Sequence, residues 1–418
     1  MTPETSLPPP RLDNAAWLTR RETQAVFGAL AREGHAARAV GGAVRNALLG
    51  RPVSEVDIAT TAIPREVMRL AAEAGLKAVP TGLAHGTVTV VVDHVPYEVT
   101  TLREDVETFG RHARVVFTDD WAADARRRDF TMNALYCGAD GTVYDPLGGY
   151  ADLVARRVRF IGDPRARIRE DYLRILRFFR FTAQYAGGRP DAEGLSASVR
   201  EREGLAQLSG ERVRQELIRL LKAPHALAAI EAMADHGLLT EVLPVAPRPA
   251  LLRRLIEFER VLGLEPAPIL RLGVLAIEVR EDAERLRDRL KLSTAEFAAL
   301  MRASVRSAAL GPASAERDGK AYLYRHGADH YRERVLLDWT RSGHPPQDPL
   351  LRTLFSLPQR WTPPAFPLGG AEVVALGVPP GPRVGELLRH LENSWIDAGF
   401  PNDPQALRLQ LARLAQAG

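Results

Sequence analysis

Residues 40–60, VGGAVRNALLGRPVSEVDIAT, set two glycines, an arginine and two carboxylates in one short stretch. Glu55 and Asp57 lie two apart in a run with β-branched residues. On a strand both project to one face, while Val56 and Ile58 project to the other. Carboxylates at that separation repel unless something positive sits between them. Hard oxygen ligands suit Mg²⁺, which uses one or two protein carboxylates together with phosphates and water. Two such ions can activate an attacking hydroxyl and stabilise a leaving pyrophosphate. Gly41 and Gly42 would let backbone approach a ligand closely, and the helix that follows offers N–H groups to an anion. Arg45, in its first turn, can reach a triphosphate. A bare Glu-x-Asp is far more often a solvated strand end, and a lone Gly-Gly is common. Glycine turn, arginine and paired acids in that order are the more specific signal. The spacings of a Walker A or dinucleotide-binding fingerprint are absent.

The elements that must position these groups follow from periodicity. Residues 22–33 predict a helix, 36–40 a strand, 43–49 a helix and 55–60 a strand. Pro64 opens a helix that stops at Gly75. LKAVP, GTVTVVVD and VPYEVTTL predict three more strands, the last two joined at Asp93-His94. Residues 103–115 predict a long polar loop, 118–128 a charged helix and 131–137 (TMNALYC) a helical segment. A strand and glycine-rich turn follow over 142–153, then a strand over 157–162. Beyond Ile168 only helical periods are expected. The fold class is α+β: an N-terminal head with a mixed or antiparallel sheet, then an extended all-helical body and tail.

Composition narrows the class. The chain has 418 residues, is 45% hydrophobic and 26% charged, and carries a formal charge of +4. With four lysines, nearly all of its positive charge is arginine. Residues 156–180 hold nine arginines against Asp163, Glu170 and Asp171, a local excess that needs a solvated face or a phosphate ligand. The single cysteine, Cys137, excludes a disulfide framework and a cysteine zinc site within one chain. No apolar run reaches bilayer length and no secretory start is evident, so a cytoplasmic protein with no membrane partner is expected. Asp171 and Arg174 are three apart on a predicted helix. They make either a surface ion pair or acceptors and donors aimed at a base edge. His326 and His330 have helical spacing but no acids in a metal-binding pattern, and read as an exposed face.

Five blocks together carry a family resemblance: GGAVRNALLGRPVSEVDIATT, RRRDFTMNALY (126–136), DPLGGYADL (145–153), REDYLRILRFFRF (169–181) and SGERVRQELIRLL (209–221). In this order, over about half the chain, they resemble class II CCA-adding tRNA nucleotidyltransferases and bacterial poly(A) polymerases, of the DNA polymerase β-like nucleotidyltransferase superfamily. The resemblance implies a nucleotidyltransferase head adding C and A to tRNA from CTP and ATP, with Mg²⁺, or Mn²⁺, at the reacting centre. Poly(A) synthesis, addition of only CC or only A, and RNA binding by an inactive site are the alternatives. The tail segment GVPPGPRVGELL (377–388) resembles that of many CCA-adding members. No obligate protein partner is implied.

Roles carry over by position. Glu55 and Asp57 match the metal-binding acids, although the family usually has Asp at the first, and Asn46 stands where it usually has Asp. Glu98 is implied as a third carboxylate and base for the primer hydroxyl. Arg128 and Asp129 match a ribose-contacting motif, and Asp171 with Arg174 the protein template that chooses CTP or ATP. Arg177 and Arg180 are implied to help hold the nucleotide. Loop 103–115 resembles a flexible loop that helps switch from C to A, with His112 a solvated residue in it. Glu211 and Arg212 are expected to cap and pack, and Asn133 to be structural. The expected domains are a lead-in (1–20), the catalytic head (21–163), a neck that reads the base (164–225) and a helical body and tail for tRNA (226–418).

Overall fold

A computed structural model describes residues 8–109, 112–305, 310 and 316–416; the side chains of 105–114, His112 among them, lie outside the described residues. Two compact units divide the chain: Met1–Pro247 with Leu286–Leu292, and Arg248–Arg285 with Ser293–Gly418.

The first unit is built on a seven-stranded sheet in the order β3-β4-β5-β2-β1-β8-β9. Its strands are β1 (Ala37–Val40), β2 (Asp57–Thr60), β3 (Lys77–Gly82), β4 (Thr87–Val92), β5 (Val95–Thr101), β8 (Tyr136–Cys137) and β9 (Val143–Tyr144). All neighbours are antiparallel except β2 and β5, which run parallel and set Asp57 opposite Glu98. The β4–β5 hairpin turns at Asp93 and His94, both at positive φ, which matches the twist of a two-residue hairpin. Helices α1 (Arg21–Leu30), α2 (Gly42–Leu48) and α3 (Pro64–Glu73) bury Val26, Val44 and Val67 against this framework.

Three expectations change. The predicted loop 103–115 is a two-stranded hairpin, β6 (Arg103–Phe109) with β7 (His112–Phe117), separate from the main sheet. The stretch is polar and has no apolar alternation, so its sequence carries no strand signal. TMNALYC is not helical: it makes a 3₁₀ turn over Thr131–Asn133 and then β8, buried throughout. RVRFIG adds no strand beyond one bridge, Phe130 to Phe160. Helix α4 (Trp121–Arg126), capped by the Asp120 side chain, and α5 (Gly149–Val154) complete this part.

The helical continuation begins with α6 (Pro164–Glu170), capped by Asp163, and α7 (Leu173–Tyr185). Asp171 is extended (φ −156°, ψ 105°), so the two helices are separate. Helices α8 (Ala192–Arg200) and α9 (Gly210–Lys222) pack around α6 and α7.

The second unit is helical in its described residues. Helix Glu316–Ser342 breaks at Gly327, whose φ of 78° suits glycine. One core gathers Phe258, Tyr331, Trp339 and Leu351, and another Leu391, Trp395 and Leu407.

Candidate active site

A cavity of about 490 Å³ lies where β1, β2 and α2 face α7 and α9. Among its walls are Gly41, Gly42, Arg45, Asp57, Arg128, Asp129, Asn133, Asp171, Arg174, Arg177 and Arg212. Nine of the twelve residues singled out in the sequence therefore meet in one cavity. Glu55, Glu98 and Arg180 do not line it.

Gly41 makes the turn out of β1 with φ 68°, which favours glycine, and its N–H donates to the Leu135 carbonyl at 3.1 Å. Val40 pairs with Asp57, so the turn delivers Gly41 beside the acid. Arg45, buried on α2, is held by neutral groups. It donates to Asn133 Oδ1, to the Tyr185 hydroxyl at 2.7 Å and to Asn46 Oδ1 at 3.2 Å, with its guanidinium 4.3 Å from the Tyr185 ring centre. Burial lowers its pKa, with the Tyr185 hydroxyl pulling against it. Asn46, where the family usually has Asp, thus acts as an acceptor that holds Arg45.

The other cavity arginines are each set against a carboxylate. Arg177 forks onto Asp129 Oδ2 at 2.8 and 2.5 Å. Asp129 Oδ1 accepts from the Phe130 N–H and from Asn133, both at 2.8 Å. Four donors fill this carboxylate. Burial would raise its pKa, but Arg177 and these hydrogen bonds hold it down to about 2. Arg128 donates to Asp124 at 3.0 Å and to the Tyr136 hydroxyl at 3.2 Å. Arg174 donates through Nη1 to Glu170 at 2.5 Å and to the Arg167 carbonyl at 2.6 Å. Its Nε and Nη2 have no partner among the described residues. Arg212 on α9 forks onto Asp171 at 3.2 and 2.6 Å.

Two placements correct the sequence reading. Asp171 and Arg174 do not share a helix: they flank the α6–α7 break, and each side chain has its own counter-charge, Arg212 and Glu170. Arg180 points away, buried with Glu216 at 2.5 Å and stacked 4.3 Å from the Phe181 ring centre. Arg212 reaches Asp171, beyond the capping and packing role expected. Asp124, Glu170, Tyr136 and Tyr185 were missed. Asp124 and Glu170 did carry a signal, since each stands four residues before an arginine of the cavity.

Asp57 opens β2, with Glu98 its direct partner on parallel β5, so both side chains share a face. Glu55 precedes the strand, yet exposure alternates through it: Glu55 and Asp57 are exposed, Val56 and Ile58 buried. Although part of Asp57 is open to solvent, the atoms packed around it partly desolvate its carboxylate; this, then Glu98 and then Glu55, raise its pKa, with Arg128 pulling against them. That unbalanced negative charge is what a divalent cation would neutralise. Among the described residues no three His, Cys, Asp or Glu form a ready-made metal cluster. The donor set therefore fits an ion whose remaining ligands are phosphate and water.

The cavity thus joins Asp57, its one carboxylate without an ion pair among the described residues, to a wall of guanidiniums, suited to a polyanion brought against a metal ion. Comparison with known proteins agrees. A family description, "Poly A polymerase head domain", matches residues 37–159, and "Probable RNA and SrmB- binding site of polymerase A" matches 191–247. The mouse protein named CCA tRNA nucleotidyltransferase 1, mitochondrial, is 37% identical over 88% of this chain and 85% of its own length. The human protein of that name is 35% identical over 90% and 86%. The structure of the Bacillus stearothermophilus CCA-adding enzyme in complex with CTP superposes with TM-score 0.69 at 28% identity, over 95% of this chain and 97% of that one. Nucleotidyltransferases of this kind generally use divalent metal ions. Among the described residues, no helix is long and apolar enough to cross a membrane. The chain belongs to the family of CCA-adding tRNA nucleotidyltransferases and poly(A) polymerases.

Proposed function

We propose that the protein adds CCA to the 3′ end of tRNA from CTP and ATP, without a nucleic-acid template, releasing pyrophosphate at each step. The observation that carries this reading is the single cavity that gathers Asp57, Arg45, Arg128, Asp129, Asp171 and Arg174. The curated relatives named CCA tRNA nucleotidyltransferase, matched over most of their length, give it its substrate.

Asp57 and Glu55 would hold Mg²⁺, or Mn²⁺, and Glu98, the strand partner of Asp57, would take the proton of the primer hydroxyl. The bound ion would supply charge neutralisation at the transferred phosphate and a more acidic hydroxyl. No carboxylate is paired with Arg45, so its charge is left for the triphosphate, with Gly41 and Gly42 allowing close approach. Arg128 is aligned by Asp124 for the same end. Asp129 has no spare acceptor site while Arg177 forks onto it. Arg177 turning toward phosphate would free Asp129 Oδ2 for a ribose hydroxyl. Asp171 and Arg174 present a carboxylate and free N–H groups to the base edge, each steadied by an opposite charge. Arg180 supports α7 through Glu216.

On this reading 21–163 is the catalytic head, 164–225 the base-reading neck and 226–418 the RNA-binding body, after a lead-in of residues 1–20. The test is Asp57→Asn: nucleotide addition should be abolished while tRNA binding stays near wild type. Loss of both together would refute the metal-ligand role.

A further inference from the structure

Within the second unit, a basin of about 390 Å³ is lined by Leu262, Leu264, Arg332, Arg352, Phe355, Ser356 and Gln359. Two guanidiniums and no carboxylate line it. Arg352 is fixed by its hydrogen bond to the Val261 carbonyl at 2.9 Å. Arg360 stands beside Ser356, donating to its hydroxyl at 3.2 Å and to the Thr353 carbonyl at 2.7 Å.

Arg332 differs from its neighbours. Its Nε is buried without a hydrogen-bond partner, and no ion pair engages its guanidinium among the described residues. Its guanidinium carbon lies 5.9 Å from the centre of the Phe355 ring. A desolvated donor with no acceptor is costly to keep. In the same unit Arg271 is answered by Glu259 and Arg302 by Glu333.

We propose that this basin binds one backbone phosphate of the RNA, with Arg332 as the principal donor and Arg352 as the second. Guanidinium forks match phosphate oxygens in pairs, and the basin offers two guanidiniums with no carboxylate in its lining to compete for them. No carboxylate or other hard oxygen cluster is present for a cation, and no glycine-rich loop encloses a free nucleotide. The contact reads backbone and not sequence, which suits a protein that must accept every tRNA. This deepens the reading that tRNA is the substrate and rests on it.

The test is tRNA affinity of the full-length protein at a series of salt concentrations, for wild type, Arg332→Gln and Arg332→Lys. Each phosphate contact contributes about 0.7–0.9 to the slope of log affinity against log salt. Over one decade of salt, Arg332→Gln should therefore lose about five- to eightfold in affinity at about 0.1 M and converge on wild type near about 1 M. Its slope should fall by nearly one, and Arg332→Lys should restore most of it. An unchanged slope and affinity in Arg332→Gln would overturn the proposal. So would stabilisation of the wild type by inorganic phosphate that Arg332→Gln loses while its tRNA binding is unaltered, since the site would then take only a free anion. Because the readout is binding, a wild type that bound tRNA but added nothing would contradict the reaction and leave the slopes to judge the site. A wild type that bound no tRNA would overturn both.

Discussion

Asp124 is fully buried on α4, a residue the reaction does not touch, and yet it should prove one of the most sensitive positions in the head. Its carboxylate meets Arg127 at 2.6 Å, Arg128 at 3.0 Å and the Tyr136 hydroxyl at 2.7 Å. The two arginines are only 15% and 18% exposed, so solvent screens little of this. Asp124→Asn keeps the shape and one acceptor oxygen but turns an amide N–H₂ toward cations. Removing one member of a buried pair costs about 3–5 kcal/mol; with the amide's residual acceptor and the arginines near the rim, about 3 kcal/mol is expected. For a unit of this size that lowers the thermal midpoint by about 6–12 °C. Asp120→Asn is the matched control: the same chemical change on the same helix, at an exposed pair with Arg126 and at a cap that Asn also fills. It should cost no more than about 0.5 kcal/mol. The assay is thermal and urea unfolding followed by loss of CTP binding, across pH. Burial would raise the Asp124 pKa, but Arg128, Arg127 and Tyr136 outweigh it and the net shift is downward. The stability it gives is present above the ordinary carboxylate pKa and is lost as pH falls through the depressed one, so the two proteins should converge in acid. CTP affinity should also weaken, because Arg128 loses the partner that aligns it. Equal midpoint shifts for the two substitutions, or a gap between variant and wild type that did not close in acid, would refute the reasoning.

Asp57 should show the opposite sign. Its folded-state pKa is raised by desolvation and by Glu98 and Glu55, so its ionised form costs the fold stability, and that cost vanishes below the unfolded pKa. Asp57→Asn, measured with a chelator, should melt higher than wild type at neutral pH, with the difference closing in acid; a lower midpoint at neutral pH would contradict the crowding. Arg174→Ala should blur the choice between CTP and ATP while leaving metal dependence intact, and unchanged selection in single-turnover competition would remove the base-reading role. Gly149→Ala would set a Cβ 2.1 Å from the Thr131 carbonyl oxygen, a backbone clash worth about 1–3 kcal/mol or more. Gly28→Ala, with open space around it on α1, should instead stabilise by about 0.5–1 kcal/mol, and similar melting of the two would show the packing to be misjudged.

The architecture was legible where pattern and burial agree. The β1–α2–β2 unit announced itself through its glycine turn and a strand buried on one face, and β4–β5 through alternation around a two-residue turn. TMNALYC misled because all seven residues are buried, which leaves no polar side to set a period. RVRFIG alternates like a strand because Val158 and Phe160 are buried while Arg157 and Arg159 turn to Asp152, an ion-pair pattern with a single bridge behind it. At the cavity, residue types gave the members but not their partners. The break at Asp171 leaves no mark in the spacing, which makes Asp171 and Arg174 look like neighbours on one helix. Folding instead gives one to Arg212, 41 positions away, and the other to Glu170. Arg180 looked equivalent to Arg177, yet its rotation around α7 directs it to Glu216 and away from the cavity.

The central claim is most directly tested by nucleotide addition read at single-residue resolution on three tRNAs, ending before the first C, before the second C and before the A. Each is incubated with Mg²⁺ and CTP alone, ATP alone or both. The account predicts two, one and no C from CTP alone, A from ATP alone only on the third tRNA, and with both a product that stops at CCA. Long A tails, on these tRNAs or on unrelated RNA, would contradict it.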